Sequence, residues 1–186
     1  MAMSENNQGY GRFIQAVAFA AHKHRDQRRK DAIASPYINH PIALADVLAN
    51  EGGVTDEEVL CAAVLHDTVE DTETTADELA AVFGQSIAEI VLEVTDDKCL
   101  AKHERKQRQI DHAPHISPKA KLVKLADKIC NVRDILGSAP KGWTAERQQT
   151  YLHWSAEVIA GVRGIHPQLE AVFDGLYARC EELAGR

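Results

Sequence analysis

The sequence predicts an all-α fold, a compact bundle of about eight to ten helices. Three observations predict it. Apolar residues recur at helical spacing along almost the whole chain. Pro, Gly and Ser/Thr/Asp residues fall where helices start and stop. No run alternates apolar and polar residues in the manner of a half-buried strand. With 186 residues, 45% hydrophobic and 26% charged, the chain is long enough to bury a substantial core as one domain. Residues 1–9 are expected to form a flexible N-terminus and residues 10–186 a single domain.

The helices follow in order. Residues 13–25 carry Phe13, Ala16, Val17 and Ala20 on one face. After a loop containing Pro36, Pro41 suits the first turn of a helix holding Ile42, Leu44, Ala45 and Leu48, which Gly52 and Gly53 end. Thr55 or Asp56 caps the next helix. Thr75 and Glu78 have the spacing of a capping box, and Gly84 fits a C-terminal stop. Further helices cover 86–94 and 100–111. Pro114 and Pro118 bracket a loop before a long helix over 119–136, with apolar positions at 122, 125, 129, 132 and 136. Pro140 and Gly142 separate it from helices over 144–161 and 167–183.

A net charge of −7 argues against a general nucleic-acid or membrane binder, so any polyanion must meet a local basic patch. The N-terminal MAMSENNQGYGR lacks the apolar centre of a signal peptide, and no apolar run approaches the roughly 18 residues of a bilayer span. Cys61, Cys99, Cys130 and Cys180 make no C-x-x-C pair and read as reduced thiols of a cytoplasmic protein.

The segment AAVLHDTVEDT, residues 62–72, places His66, Asp67, Glu70 and Asp71 on an otherwise apolar helix. On a continuous helix Glu70, Asp67 and Asp71 fall about 40°, 100° and 140° from His66, one arc. A solvated helix end would tolerate this. A central helix would not, because unpaired carboxylates in a dry cleft are costly and a bound cation relieves that cost. Two other segments bear on the choice. In YINHP, His40 precedes a proline that fixes the backbone. In KLVKLADKICNVRD, Asp127 lies opposite the apolar stripe with Lys124, Asn131 and Asp134. Taken alone, that face reads as plainly solvated, with Asp127 paired to Lys124 or Asn131. Together, His40, His66, Asp67 and Asp127 suit a first-row divalent cation such as Mn²⁺, with Fe²⁺, Zn²⁺ and Mg²⁺ as competitors. The absence of a thiolate from the set argues against a closed structural zinc site.

His40, the doublet His66–Asp67 and Asp127 resemble the H…HD…D signature of the HD-domain metal phosphohydrolases. QRRKD, YINHPI, LHDTVEDT, VTDDK and AKLVKLADKICNVRD, in that order, narrow the likeness. Over residues 10–180 they resemble the hydrolase domain of the RelA/SpoT homologues, and in particular the small stand-alone alarmone hydrolases typified by the metazoan SpoT homologue. The resemblance implies an HD-domain bundle and removal of the 3′-pyrophosphate from ppGpp or pppGpp, giving GDP or GTP. It implies one Mn²⁺ held by His40, His66, Asp67 and Asp127, with Glu70 and Asp71 handling the attacking water. The chain has no room for the synthetase and regulatory domains of the long members, so hydrolysis alone is implied.

Two basic runs could meet the anionic nucleotide: HKHRDQRRK at 22–30 and KCLAKHERKQR at 98–108. Neither interleaves aromatics for base stacking. By resemblance, Arg29, Lys30, Lys102, Asn131, Arg147 and Tyr151 are the substrate-binding candidates, with Tyr37 and Lys128 beyond them. The same chemistry on (p)ppApp, removal of the 2′-phosphate of NADPH, a general nucleotidase and a non-catalytic nucleotide-binding module are the competing readings. The oligomeric state stays open, a homodimer included.

Overall fold

The computed structural model describes residues 5–31 and 33–180. Ten α-helices follow in chain order among the described residues: α1 (Glu5–Lys23), α2 (Asn39–Asp46), α3 (Glu57–Leu65), α4 (Thr68–Asp71), α5 (Ala76–Phe83), α6 (Gln85–Val94), α7 (Lys102–His112), α8 (Pro118–Ser138), α9 (Ala145–Ala160) and α10 (Pro167–Ala178). The extended pairing in these residues is one isolated bridge, Arg28 to Pro36. No helix among them is long and apolar enough to cross a membrane. Helix α1 begins at Glu5, so part of the segment expected to be a flexible N-terminus is helical. Residues 1–4 of that segment and 181–186 at the other end lie outside the described residues.

The helix starts are chemically specified. Asp56, Thr75, Ser117 and Thr144 each accept a backbone N–H of the first turn they precede. The expected capping box on α5 is half formed. Thr75 accepts from the Glu78 N–H at 3.1 Å, but the Glu78 carboxylate turns to Lys23 at 3.0 Å, because an ammonium is a stronger partner than a neutral N–H. Helix α2 starts two residues before Pro41 and runs into a π-helical turn, Val47–Glu51. Gly52 closes that turn where no side chain fits: a Cβ there would lie 2.8 Å from the Leu48 carbonyl oxygen and 2.9 Å from Leu169 of α10.

Helix α3 is the centre of the molecule. Val59 and every residue from Cys61 to Leu65 are buried, and the helix packs on α1, α2, α6 and α8. Helix α8 adds Leu125, Ile129, Val132 and Leu136 to the core, as its apolar stripe requires. Its opposite face is not the solvated one that the sequence alone would allow. Lys124 and Lys128 are 7% and 2% exposed, because α6 and α9 cover that side. The Lys124 ammonium donates to the Val94 carbonyl at the end of α6, and Lys128 lies 4.3 Å over the Trp154 ring of α9. Cys61, Cys99 and Cys130 are free thiols.

Leu125 is fully buried at the middle of α8. Leu125→Ala is expected to destabilise the fold by about 2–5 kcal/mol, the range for emptying a buried leucine site. Urea unfolding would show this as a lower midpoint at unchanged slope.

Candidate metal centre and adjoining cleft

The charged segment does not continue α3. The helix ends at Leu65, His66 and Asp67 form a turn, and α4 is a single further turn. Asp67 sits at φ −98°, ψ 0°, the sparsely populated bridge conformation. Thr68 stabilises the break by donating its hydroxyl to the Leu65 carbonyl at 2.7 Å. The single arc expected of a continuous helix therefore splits. His66, Asp67 and Glu70 line an inner cavity of about 190 Å³. Asp71 faces a neighbouring cleft of about 760 Å³.

Three ligand atoms converge in the inner cavity: those of His40, His66 and Asp67 lie within 4.8 Å of one another. Asp127 completes the surround, its Oδ1 3.2 Å from His40 Nε2 and 4.0 Å from His66 Nε2. His66 Nδ1 lies 2.8 Å from the Ala63 carbonyl, an acceptor only, so Nδ1 carries a proton there and Nε2, once it gives up its own, turns a lone pair to the cavity. That Nε2 is 2.9 Å from an Asp67 oxygen, yet it is a buried nitrogen without a hydrogen bond. The two groups stand side by side and aim past each other. An imidazole lone pair and carboxylate oxygens converging in this way fit a divalent cation of mixed nitrogen and oxygen preference.

The electrostatics agree. Burial opposes a charge on His66, but Asp67 and Asp127 outweigh it and lift the imidazole to about 9. Burial would raise Asp67, yet the His66 and His40 rings hold it well below the usual carboxylate range. Asp127 is likewise held down against burial by Lys128, His40 and His66. Without a cation, the acids retain a proton on an imidazole as their counter-charge. Glu70 is the exception. Burial lifts it to about 7, with Asp67, Asp96 and Asp71 adding to the effect, although the Asp96 N–H donates to it at 3.0 Å.

Around these groups, polar bonds fix orientation. The Tyr37 hydroxyl donates to Asp67, and burial together with that carboxylate keeps the phenol protonated. Asn131 donates to Asp127 at 2.7 Å, and Lys128 bridges Asp127 and Gln109 at 3.3 and 2.9 Å. Asp71 accepts from Gln27 at 2.8 Å and from Lys98.

The cleft brings together four of the six substrate-binding candidates. Arg29, Lys30, Asn131 and Tyr151 line it, and Asn131 and Tyr151 line the inner cavity as well. Arg29 is paired with Asp134 at 2.5 Å. Arg147 is exposed and lies 4.4 Å over the Trp143 ring, which lines the same cleft. Lys102, exposed at the first position of α7, is outside both linings. Sequence reasoning set Lys124 beside Asp127 but missed Gln27, Asp96, Gln109 and Trp154 as neighbours of the centre. Trp154 stands three residues after Tyr151, one turn along the same face, which was a usable signal. The others meet the centre only through tertiary packing.

The HD-domain family profile matches residues 16–157. The guanosine-3′,5′-bis(diphosphate) 3′-pyrophosphohydrolase MESH1 of Xenopus tropicalis is 54% identical over 164 residues, 88% of this chain and 92% of the relative. The protein of the same name from Drosophila melanogaster is 45% identical, over 89% of this chain and 93% of its own. A solved structure of a metazoan SpoT orthologue, described as hydrolysing ppGpp, superposes with a TM-score of 0.88 at 45% identity, covering 90% of this chain and 94% of that one.

Two outcomes follow from the geometry. A divalent cation is expected to stabilise the metal-stripped protein by about 4 kcal/mol at a thousand times Kd, and so to raise its melting temperature. His66→Ala should abolish that rise, as followed by calorimetry. The second concerns Glu70, whose folded-state carboxyl is held above the ordinary glutamate range. Its contribution to stability is full below that range and is lost as pH rises through about 7. In the metal-free protein Glu70→Gln is therefore expected to raise the melting temperature at pH 8 and leave it unchanged at pH 4.

Proposed function

The chain belongs to the HD-domain family and, within it, to the branch of the stand-alone guanosine-3′,5′-bis(diphosphate) 3′-pyrophosphohydrolases. From that footing we propose that it is a cytoplasmic Mn²⁺-dependent hydrolase that removes pyrophosphate from the 3′ position of ppGpp or pppGpp. The observation that carries this reading is the convergence of His40, His66 and Asp67, with Asp127 beside them, next to a half-buried Glu70 whose carboxyl is raised to about 7.

The proposed division of labour uses both cavities. His40, His66, Asp67 and Asp127 would hold one Mn²⁺. When bound, the ion supplies Lewis acidity, which acidifies water and neutralises charge on the phosphoryl oxygens. Glu70 takes the proton of the attacking water, and a carboxyl near 7 is well matched to that task at neutral pH. Asp71, clamped by Gln27 and Lys98, orients the same water from the cleft side. Arg29 and Lys30 at the cleft supply positive charge for phosphate oxygens in an otherwise acidic protein. Asn131 and Tyr151, present in both linings, sit where the 3′-phosphates and the nucleoside would meet. Trp143, braced by Arg147, offers a flat face to a base. Lys102 is left out of this set, because it lies outside both linings. No covalent nucleophile is needed.

The test is a product assay. With Mn²⁺ added to metal-stripped protein, pyrophosphate release from ppGpp is expected, and Asp67→Ala should remove turnover. Release from ppApp alone would move the base preference to adenine. Orthophosphate from NADPH alone would move the substrate to a redox cofactor. Ligand binding without product from any of the three would make the chain a binding module. The acid limb of the pH profile is expected at or below about 7, because a neighbouring cation favours the Glu70 carboxylate.

A further inference from the structure

His24 is a histidine that neither the core nor the metal centre explains. It follows α1, is 2% exposed, and packs against the Tyr37 ring with centroids 4.9 Å apart. Its Nε2 is buried without a hydrogen-bond partner, an arrangement that costs stability where a leucine would not. Its Nδ1 lies 2.6 Å from Gln27 Oε1. An amide oxygen only accepts, so the proton sits on Nδ1. Burial disfavours a second proton, which leaves the ring neutral.

The acceptor-only Asp71 carboxylate and the His24 N–H together fix which way the Gln27 amide points. With Oε1 committed to the His24 N–H, Nε2 must face the other way, and it donates to Asp71 Oδ2 at 2.8 Å. The flipped amide would set an oxygen against a carboxylate and an NH₂ against an N–H, two repulsions in place of two bonds. The second Asp71 oxygen is met by Lys98, whose side chain is half exposed. Gln27 is the fixed half of the clamp. Its backbone carbonyl also accepts the Tyr37 N–H at 3.1 Å, which ties the same loop to the tyrosine that donates to Asp67.

We propose that Gln27, its amide held between buried His24 and Asp71, is a positioning residue that sets the Asp71 carboxylate for the attacking water. The proposal rests on the hydrolase reading above. It deepens that reading by assigning the orientation of Asp71 to a relay, His24 Nδ1–H to Gln27 Oε1 and Gln27 Nε2–H to Asp71 Oδ2, that begins outside both cavities' metal-facing groups.

Gln27→Glu is the discriminating variant. It keeps the size of the side chain and an acceptor for His24, but replaces the donor facing Asp71 with a second acceptor. In the Mn²⁺-loaded enzyme, kcat is expected to fall about 10- to 100-fold, the cost of misplacing one catalytic group. Gln27 lines the cleft but commits its amide to His24 and Asp71, so KM should change far less than kcat. The rise of the melting temperature with Mn²⁺ should match wild type, even where the lost bond lowers the starting value. Wild-type kcat in the variant, an equal change in KM, or loss of the Mn²⁺ response would overturn the proposal. Gln27→Met, uncharged and of similar length, gives the same readout if the glutamate variant does not fold. Independently of any substrate, ¹⁵N spectra of the metal-free wild type should show His24 as the Nδ1–H tautomer and the Gln27 amide protons slow to exchange. An Nε2–H tautomer would sink the relay. No turnover by wild type with that tautomer present would sink the hydrolase reading and leave the relay standing.

Discussion

Everything in this molecule is arranged around a cluster of like charges held out of water. Asp67, Glu70 and Asp127 stand near one another at the centre of a helical bundle, with two imidazoles and two buried lysines around them. Carboxylates in such a place repel one another and lose hydration, and each needs a counter-charge. Lys128 supplies one to Asp127, Tyr37 supplies a hydrogen bond to Asp67, and His66 holds a proton far above its ordinary range. What these partners leave open is a set of lone pairs that converge on one point. A divalent cation answers that arrangement better than any rearrangement of the protein could.

The fold serves the cluster by breaking at the right place. Helix α3 is gripped on all sides by apolar neighbours up to Leu65, so its end is rigidly placed. The turn at His66 and Asp67 then swings the two side chains into the cavity and sends α4 off on a new path. One consequence is a separation of roles along six residues: His66, Asp67 and Glu70 look inward, while Asp71 looks into the cleft that carries the arginine and lysine. A continuous helix would have put all four on one side, leaving the cleft Asp31 and Asp134 but not Asp71. The strongly polar α7 has no buried residues, and it is tied to the centre by Gln109, which bonds Asp96 and Lys128.

The helices were legible because helix periodicity and capping chemistry are local. Asp56, Thr75 and Thr144 cap as their sequence positions require, and the apolar stripe of α8 is the core stripe. The His40, His66, Asp67 and Asp127 grouping was legible through its resemblance to a known family, and the structure brings those four side chains together. What the sequence could not show was nonlocal. The break after Leu65 depends on packing that no wheel contains. Lys124 and Lys128 read as solvated because a charged face normally is, yet α6 and α9 cover it. Gln27 and His24 lie in segments the sequence singles out, QRRKD and HKHRDQRRK, but as a motif and a basic run; their pairing has meaning only when Asp71 arrives from 44 residues away.

The central claim is that one divalent cation binds at the turn after α3. Anomalous diffraction from crystals equilibrated with Mn²⁺ tests it most directly. The account expects a single strong peak in the inner cavity, within bonding distance of His40, His66, Asp67 and Asp127. A peak elsewhere, or an empty cavity in crystals of a protein that still turns over with Mn²⁺, would contradict it.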